Sequence, residues 1–295
     1  MTDRLVLGTV QLGMPYGIAN TTGKPDLECA CAIVKAAIDV GVTRFDTAQA
    51  YGDSEEVLGR VFDRLKPGEK ICVYSKLHPG LDLCREDVIR RSVEESLRKL
   101  GVNRLEGLLL HHEDGLRYWD KGLGRALRGL VGEGRVKSIG ASFYTPQQAL
   151  AALDIDGIDL IQVPANILDR RFEDAGVFRK ARTLNKQVFV RSVFLQGLLL
   201  MPLERVPSFL KAAIPYLEHI EKTASVSGLT RQELALAYAL RRYPDARVIF
   251  GAESRAQVME NMRALNSPVV MDVDHDIFRN VPENILNPAC WQGMA

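Results

Sequence analysis

Short apolar runs recur along the chain, and each is followed by a stretch in which apolar residues return every three or four positions. The runs LVLGT (5–9), VTRFD (42–46), KICVYSK (70–76) and RLEGLLL (104–110) come first. VKSIG (136–140), IDLIQV (158–163), QVFVRSV (187–193) and RVIF (247–250) complete the series. Their length and turn-rich borders predict strands, and the spacing between them predicts helices.

The helical stretches carry their own punctuation. Pro25-Asp26 opens a run with Leu27, Ala30, Ile33, Val34, Ala37 and Ile38 on one face, and Gly41 closes it. Asp53 and Glu56, three apart, have the spacing of a capping box ahead of Val57, Leu58, Val61, Phe62 and Leu65, and Pro67-Gly68 ends that helix. Stripes headed by Ile89 and Leu123 end at Gly101 and Gly134. Thr145-Pro146 reads as N-cap and first helical residue, and Thr230 with Glu233 as a second capping box. Between Val193 and Arg247 there is room for two helices, with breaks at Pro207, Pro215 and Gly228.

Eight strand-helix units with apolar strands predict a parallel sheet covered by helices, closed into a (β/α)₈ TIM barrel. The competing architecture is an open doubly wound sheet. The glycine cluster after the first strand, GTVQLG, lacks the GxGxxG spacing such a sheet uses for dinucleotides. No linker or repeat divides the chain, so residues 1–295 are expected to form one domain. Residues 267–295, with Pro268, Pro282, Pro288 and Trp291, are expected to run as an irregular C-terminal tail across one end of the barrel.

The composition narrows the partner. Lys and Arg (38) balance Asp and Glu (37), which removes the field that draws nucleic acid or anionic membrane to a protein. A small molecule is the expected partner, and oligomeric state is open. The start MTDRLVLGTV lacks a basic segment followed by a long apolar run, and no apolar run is long enough to span a bilayer, so a cytoplasmic location is expected. Cys29, Cys31, Cys72, Cys84 and Cys290 are scattered without CxxC spacing and are expected to be reduced and mostly buried.

Chemistry gathers where the second, third and fourth strands end. The second ends at Asp46, followed by Tyr51 in the loop RFDTAQAYGDSEEVLG; the third ends in Tyr74-Ser75-Lys76; the fourth runs into His111-His112. Each residue alone has a structural reading as cap, loop residue or satisfied polar group. Ionisable groups at three successive strand ends fit the rule that a barrel of this kind collects its reactive side chains at the C-terminal ends of its strands.

These motifs resemble those of the aldo-keto reductase superfamily, (β/α)₈ barrels that pass a hydride between NAD(P)H and a carbonyl. FDTAQAYGDSEEVLG, SKL, LLLHHED, IGAS, LIQVPANILDRR and FGAESRAQVMEN follow the family order over nearly the whole chain. The resemblance implies a catalytic tetrad of Asp46, Tyr51, Lys76 and His111 and a small aldehyde, ketone or sugar as substrate, reduced to the alcohol or formed in reverse. Tyr51 would donate the proton, Lys76 would stabilise the phenolate, Asp46 would hold Lys76, and His111 would bond the carbonyl oxygen.

The same resemblance implies a cofactor set of Thr9, Asp46, Ser142, Gln162, Arg191, Ser192, Phe194, Gly197, Gly251, Ala252, Arg255, Gln257 and Asn261, with Ser192 to Gly197 as the loop near the pyrophosphate. Two positions depart from the family pattern. Ser142 is followed by Phe143 where Ser-Asn is usual, and Arg191 stands where an aromatic ring often stacks on the nicotinamide. Arg255 is expected to clamp a 2′-phosphate against the opposing charge of Glu253, which gives NADPH by a modest margin with NADH possible.

Two other classes were weighed. One is a cofactor-binding regulatory subunit with little turnover, which the intact tetrad argues against. The other is a metal hydrolase built on His111, His112, Glu113 and Asp114; neighbours along a strand point to opposite faces, so no metal is expected there.

Overall fold

The computed structural model describes residues 2–68, 70–267 and 277–291. All eight predicted strands form: β1 (Leu5–Gly8), β2 (Arg44–Asp46), β3 (Cys72–Leu77), β4 (Gly107–Leu110), β5 (Ile139–Ser142), β6 (Leu160–Pro164), β7 (Gln187–Arg191) and β8 (Arg247–Gly251). They pair in sequence order, every pair parallel, and β8 returns to β1 to close the barrel. The chain is therefore a (β/α)₈ TIM barrel.

Between the strands lie α1 (Val10–Gly13), α2 (Leu27–Asp39), α3 (Ser54–Leu65), α4 (Glu86–Leu100), α5 (Leu123–Gly132) and α6 (Pro146–Ala152). They are followed by α7 (Arg171–Asp174), α8 (Val177–Thr183), α9 (Ile214–Val226), α10 (Arg231–Arg242), α11 (Arg255–Arg263) and α12 (Glu283–Leu286). Among the described residues, no helix is long and apolar enough to cross a membrane.

The strands sort their side chains by alternation. Val6, Tyr74, Leu109, Leu160, Phe189 and Ile249 pack together inside the barrel, while Leu5, Leu7, Phe45, Val73, Leu108 and Leu110 join the larger core under the helices. Tyr74 and Lys76, two apart on β3, share the inward face. Tyr74 therefore fills the interior against Phe189, ring centroids 4.8 Å apart, and Lys76 emerges above it at the C-terminal mouth. At the opposite end Arg4 donates to the carbonyls of Leu240 (2.9 Å), Tyr243 (2.6 Å) and Ala246 (3.0 Å), tying the chain start to the end of α10.

Several local expectations are corrected. The Asp53–Glu56 box does not form: Asp53 makes no side-chain cap bond, because its carboxylate is taken by Lys24 Nζ at 2.5 and 2.6 Å. The Thr230–Glu233 box does form, with both reciprocal bonds present. Thr145 precedes Pro146 at the first turn but makes no capping bond. Among the thiols, Cys29, Cys31 and Cys72 are half-buried and Cys84 and Cys290 exposed, so the expectation that they are mostly buried fails. The tail contains α12 and a 3₁₀ turn, Pro288–Trp291; Pro268 falls outside the described residues.

The two cap sites give a paired prediction. Thr230→Ala should cost about 1 kcal/mol, the usual value of an N-cap side chain, whereas Asp53→Ala should cost less than about 0.5 kcal/mol, since it removes only an exposed ion pair. Urea unfolding of both variants checks the ranking; equal costs would contradict the assignment.

Candidate active site

The side chains at the C-terminal mouth are built on a tied loop. After β2, Thr47 donates from its amide to Tyr74 O (2.8 Å) and Gln49 to Lys76 O (3.1 Å), so the loop continues along β3. Ser54, the first residue of α3, donates to Thr9 O (2.7 Å) and accepts from Thr47 Oγ1 (3.0 Å), which ties loop, helix and β1 together. Gly13 and Gly52 let the backbones meet here. A Cβ on Gly13 would lie 1.9 Å from Tyr51 O, and one on Gly52, at φ +57°, would lie 2.3 Å from Gly13 O. Tyr51 is thus presented from a loop with little freedom to move.

Behind it lies a buried ion pair. Lys76 Nζ donates to Asp46 Oδ1 (2.8 Å), Asp46 Oδ2 (2.7 Å) and Thr47 O (3.0 Å), which uses all three ammonium hydrogens. Gln162 Nε2, from β6 across the mouth, donates to Asp46 Oδ1 at 2.8 Å. Asp46 is 4% exposed and Lys76 1%, so the pair is shielded from solvent screening. Nζ stands over the face of the Tyr51 ring, 4.9 Å from its centroid. The Tyr51 ring meets His111 edge to face, centroids 5.6 Å apart. His111 meets His112 at 5.1 Å with the rings tilted by 47°, and His112 meets Tyr144 at 5.4 Å with a tilt of 31°.

These surroundings set the protonation states. Burial, with the Asp46 carboxylate adding to it, pushes the Tyr51 phenol well above the ordinary range, against the opposing pull of Arg191. Lys76, the cation expected to lower the phenol, is itself ion-paired with Asp46. Burial lowers Lys76, and Asp46 opposes the shift. Burial, then Lys76, lowers His111 to about 3, so its ring is neutral at ordinary pH, and its Nδ1 is buried without a partner among the described residues.

A cavity of about 820 Å³ opens over this cluster and runs from His111 to α11. It brings together Asp46, Tyr51, Lys76, His111, Thr9, Ser142, Gln162, Arg191, Ser192, Phe194, Gly197, Gly251, Gln257 and Asn261. Two of the expected cofactor residues do not line this cavity. Ala252 turns into the core, and Arg255 points outward, because α11 turns Gln257 and Asn261, four apart, to the cavity and leaves Arg255 exposed. Glu253 and Glu260 line the wall instead. Trp291 is buried and spends its indole N–H on Asn284 O at 2.7 Å; the tail meets the cavity through Asn287, Pro288 and Ala289.

Sequence reasoning missed Tyr16, Tyr144 and Gln232, which also line the cavity. Tyr16 sits in the turn-rich MPYGIAN stretch after β1, a signal available in the sequence. Asn166 lies behind the wall, donating to Ser192 O at 3.0 Å. It anchors a loop in which Ser192, Leu195, Gln196 and Gly197 all have left-handed φ, a conformation costly for the three non-glycines.

The wall fits an elongated polar ligand such as a nicotinamide dinucleotide. Gln11 Oε1, His111 Nδ1, Arg191 Nε and Asn261 Nδ2 are buried polar atoms with no hydrogen-bond partner among the described residues, and all four residues line the cavity. Buried polar atoms left unpaired are costly, and a ligand with matching donors and acceptors removes that cost. Asn261 is held for this by Gln232 Nε2, which donates to Asn261 Oδ1 at 2.9 Å.

Comparison with known proteins agrees with this geometry. The aldo/keto reductase family model matches residues 4–281. An NADH-specific methylglyoxal reductase of Escherichia coli (strain K12) is 26% identical over 318 residues, covering 95% of each chain. The aldo-keto reductase yakc [NADP(+)] of Schizosaccharomyces pombe is 25% identical, covering 84% of this chain and 81% of its own. The solved structure of a glycerol dehydrogenase from Gluconobacter oxydans superposes with a TM-score of 0.74 at 25% identity, covering 96% of this chain and 91% of that one. The chain belongs to the aldo/keto reductase family, and it is a nicotinamide-dependent oxidoreductase.

The His111 environment predicts an acid-side loss of stability. Above pH 6.5 the folded and unfolded chains both carry neutral imidazole; between 6.5 and about 3 the unfolded chain takes a proton that the folded site refuses. Folding stability therefore falls as pH falls through that window. Urea unfolding at a series of pH values down to about 4 should give a shallower decline for His111→Asn than for the parent; parallel profiles would contradict the shift.

Proposed function

We propose that this aldo/keto reductase reduces a small aldehyde, ketone or sugar carbonyl to the alcohol, or runs the reverse, with Tyr51 as the proton donor. The observation that carries the reading is the convergence of Tyr51, His111 and the buried Asp46–Lys76 pair on the floor of one cavity. A bound reduced nicotinamide would supply the hydride. Thr9, Ser142, Gln162, Arg191, the loop from Ser192 to Gly197, Gly251, Gln257 and Asn261 would hold the cofactor.

The protein's own groups then account for the proton. A phenol raised by burial is fully protonated at neutral pH and keeps its proton until a strong base forms beside it. An alkoxide is such a base, stronger than even a destabilised phenolate. Once Tyr51 gives up the proton, its negative charge lies beside the Lys76 ammonium, which Asp46, Gln162 and Thr47 O hold in place. Neutral His111 brings a ring N–H to the substrate oxygen without adding a charge that would compete with Lys76. Tyr16, His112 and Tyr144 give the substrate end a polar aromatic lining.

For the cofactor, the far end of the cavity supports NADH more than NADPH. Arg255, the expected 2′-phosphate clamp, lies outside the cavity, while Glu253 and Glu260 line it. Carboxylates there repel a 2′-phosphate and accept bonds from ribose hydroxyls. The relatives include both an NADH-specific and an NADP(+) form. Balanced charge and scattered thiols support a cytoplasmic setting.

Tyr51→Phe should lower turnover on the order of 10² to 10⁴-fold while leaving cofactor affinity within about threefold. A carbonyl panel followed by cofactor absorbance, with binding titrations in parallel, checks this; turnover within about threefold of the parent removes Tyr51 from the role. Glu253→Gln should tighten NADPH relative to NADH by up to about tenfold. A loss of NADPH affinity of that size in Arg255→Ala would restore the clamp instead.

A further inference from the structure

The two departures from the family pattern meet in space. Arg191 Nη2 donates to the backbone carbonyl of Phe143 at 3.2 Å, and Nη1 donates to Ser192 Oγ at 3.2 Å. The guanidinium carbon lies 4.4 Å over the Tyr144 ring. Phe143 is fully buried in the core, so its carbonyl, rather than its side chain, serves the mouth. This arrangement holds the guanidinium against the wall, with Nε buried and without a hydrogen-bond partner among the described residues.

Among the described residues Arg191 also lacks a direct ion-pair partner, although its charge is felt by the Glu113 carboxylate. It lines the cavity with Tyr51 and His111. Lys76 and Asp46 cancel each other, and His111 and His112 both favour the neutral form. The nearby carboxylate is Glu113, outside the cavity lining, and its Oε2 accepts from Tyr144 N at 2.9 Å. The acidic residues of the cavity wall, Glu253 and Glu260, accompany Gln257 and Asn261 at the far end. Within the cavity lining, the catalytic end therefore carries one cation without an ion-pair partner, Arg191, in a partly desolvated setting where charges act more strongly than in water.

We propose that Arg191 makes this site discriminate between the redox states of the nicotinamide, favouring the neutral reduced ring over the positively charged oxidised ring. The inference rests on the preceding reading that the nicotinamide end of the cofactor occupies the mouth. A like charge brought against a fixed, half-buried guanidinium is worth roughly ten- to a hundredfold in relative affinity at an effective dielectric near 20. Two consequences follow by linkage. Oxidised cofactor leaves readily and inhibits weakly as a product, and the equilibrium on the enzyme shifts toward carbonyl plus reduced cofactor compared with solution.

The test is direct binding without carbonyl substrate. Dissociation constants for NADH, NAD⁺, NADPH and NADP⁺ are measured by fluorescence or calorimetry for the parent, Arg191→Met, Arg191→Gln and Arg191→Lys, with thermal unfolding to verify folding. The parent should bind the reduced form of its preferred cofactor at least about tenfold more tightly than the oxidised form. The two neutral variants should lose about tenfold of that ratio, mainly by binding the oxidised form better. Arg191→Lys should keep most of it, and added salt should shrink it in the parent. A ratio within twofold of the parent in folded Arg191→Met and Arg191→Gln overturns the role of Arg191 and leaves the reading of the site standing. If the parent binds none of the four cofactors, the reading of the site itself fails and this inference fails with it.

Discussion

The mouth of this barrel depends on one buried ion pair, Asp46–Lys76. Burying two charges is expensive, and attraction between them repays the cost only when the geometry is good and the remaining hydrogen-bonding capacity is satisfied. Both conditions hold. Lys76 spends every donor on Asp46 and Thr47 O, and Asp46 Oδ1 takes a further bond from Gln162. The barrel supplies the geometry, because Asp46 and Lys76 end adjacent strands and Gln162 reaches them from β6. Since strand ends are rigid, the ammonium is held over the Tyr51 ring without a flexible side chain having to find it.

From that pair the cavity divides into two electrostatic regions. Toward Arg191 the lining carries that guanidinium among imidazole and tyrosine rings. Toward α11 it is net negative, through Glu253 and Glu260. A long ligand lying across both meets opposite fields at its two ends. On the readings proposed above, cofactor choice and redox-state choice would rest on different groups, Glu253 and Glu260 for the first and Arg191 for the second.

The strands were legible because a buried parallel strand needs a nearly continuous apolar run, and eight such runs stand out between amphipathic stretches. Their starts were less legible. Residue 104 was expected to open the fourth strand, which begins at Gly107; Leu105 pairs with Val136 only as an isolated bridge. The Asp53–Glu56 pattern matched a capping box in spacing, yet a lysine 29 residues away captured the carboxylate, a contact that no local pattern encodes. The placement of Arg255 outside the cavity lining has a related reason. Its position on the first turn of α11 was readable, but which face of that turn meets the cavity depends on how the helix packs. The joint role of Phe143 and Arg191 needed coordinates, since β5 and β7 bring together residues that are 48 apart in sequence.

The central claim is that Asp46 and Lys76 act as one unit, and a double-mutant cycle tests it most directly. Unfolding free energies would be measured for the parent, Asp46→Asn, Lys76→Met and the double variant. The account predicts that each single variant loses about 3–5 kcal/mol, because it strands a buried charge, and that the double variant is more stable than the sum of the single losses allows by at least about 2 kcal/mol. Losses that add within about 0.5 kcal/mol would mean that the two charges are independent, and would contradict the account.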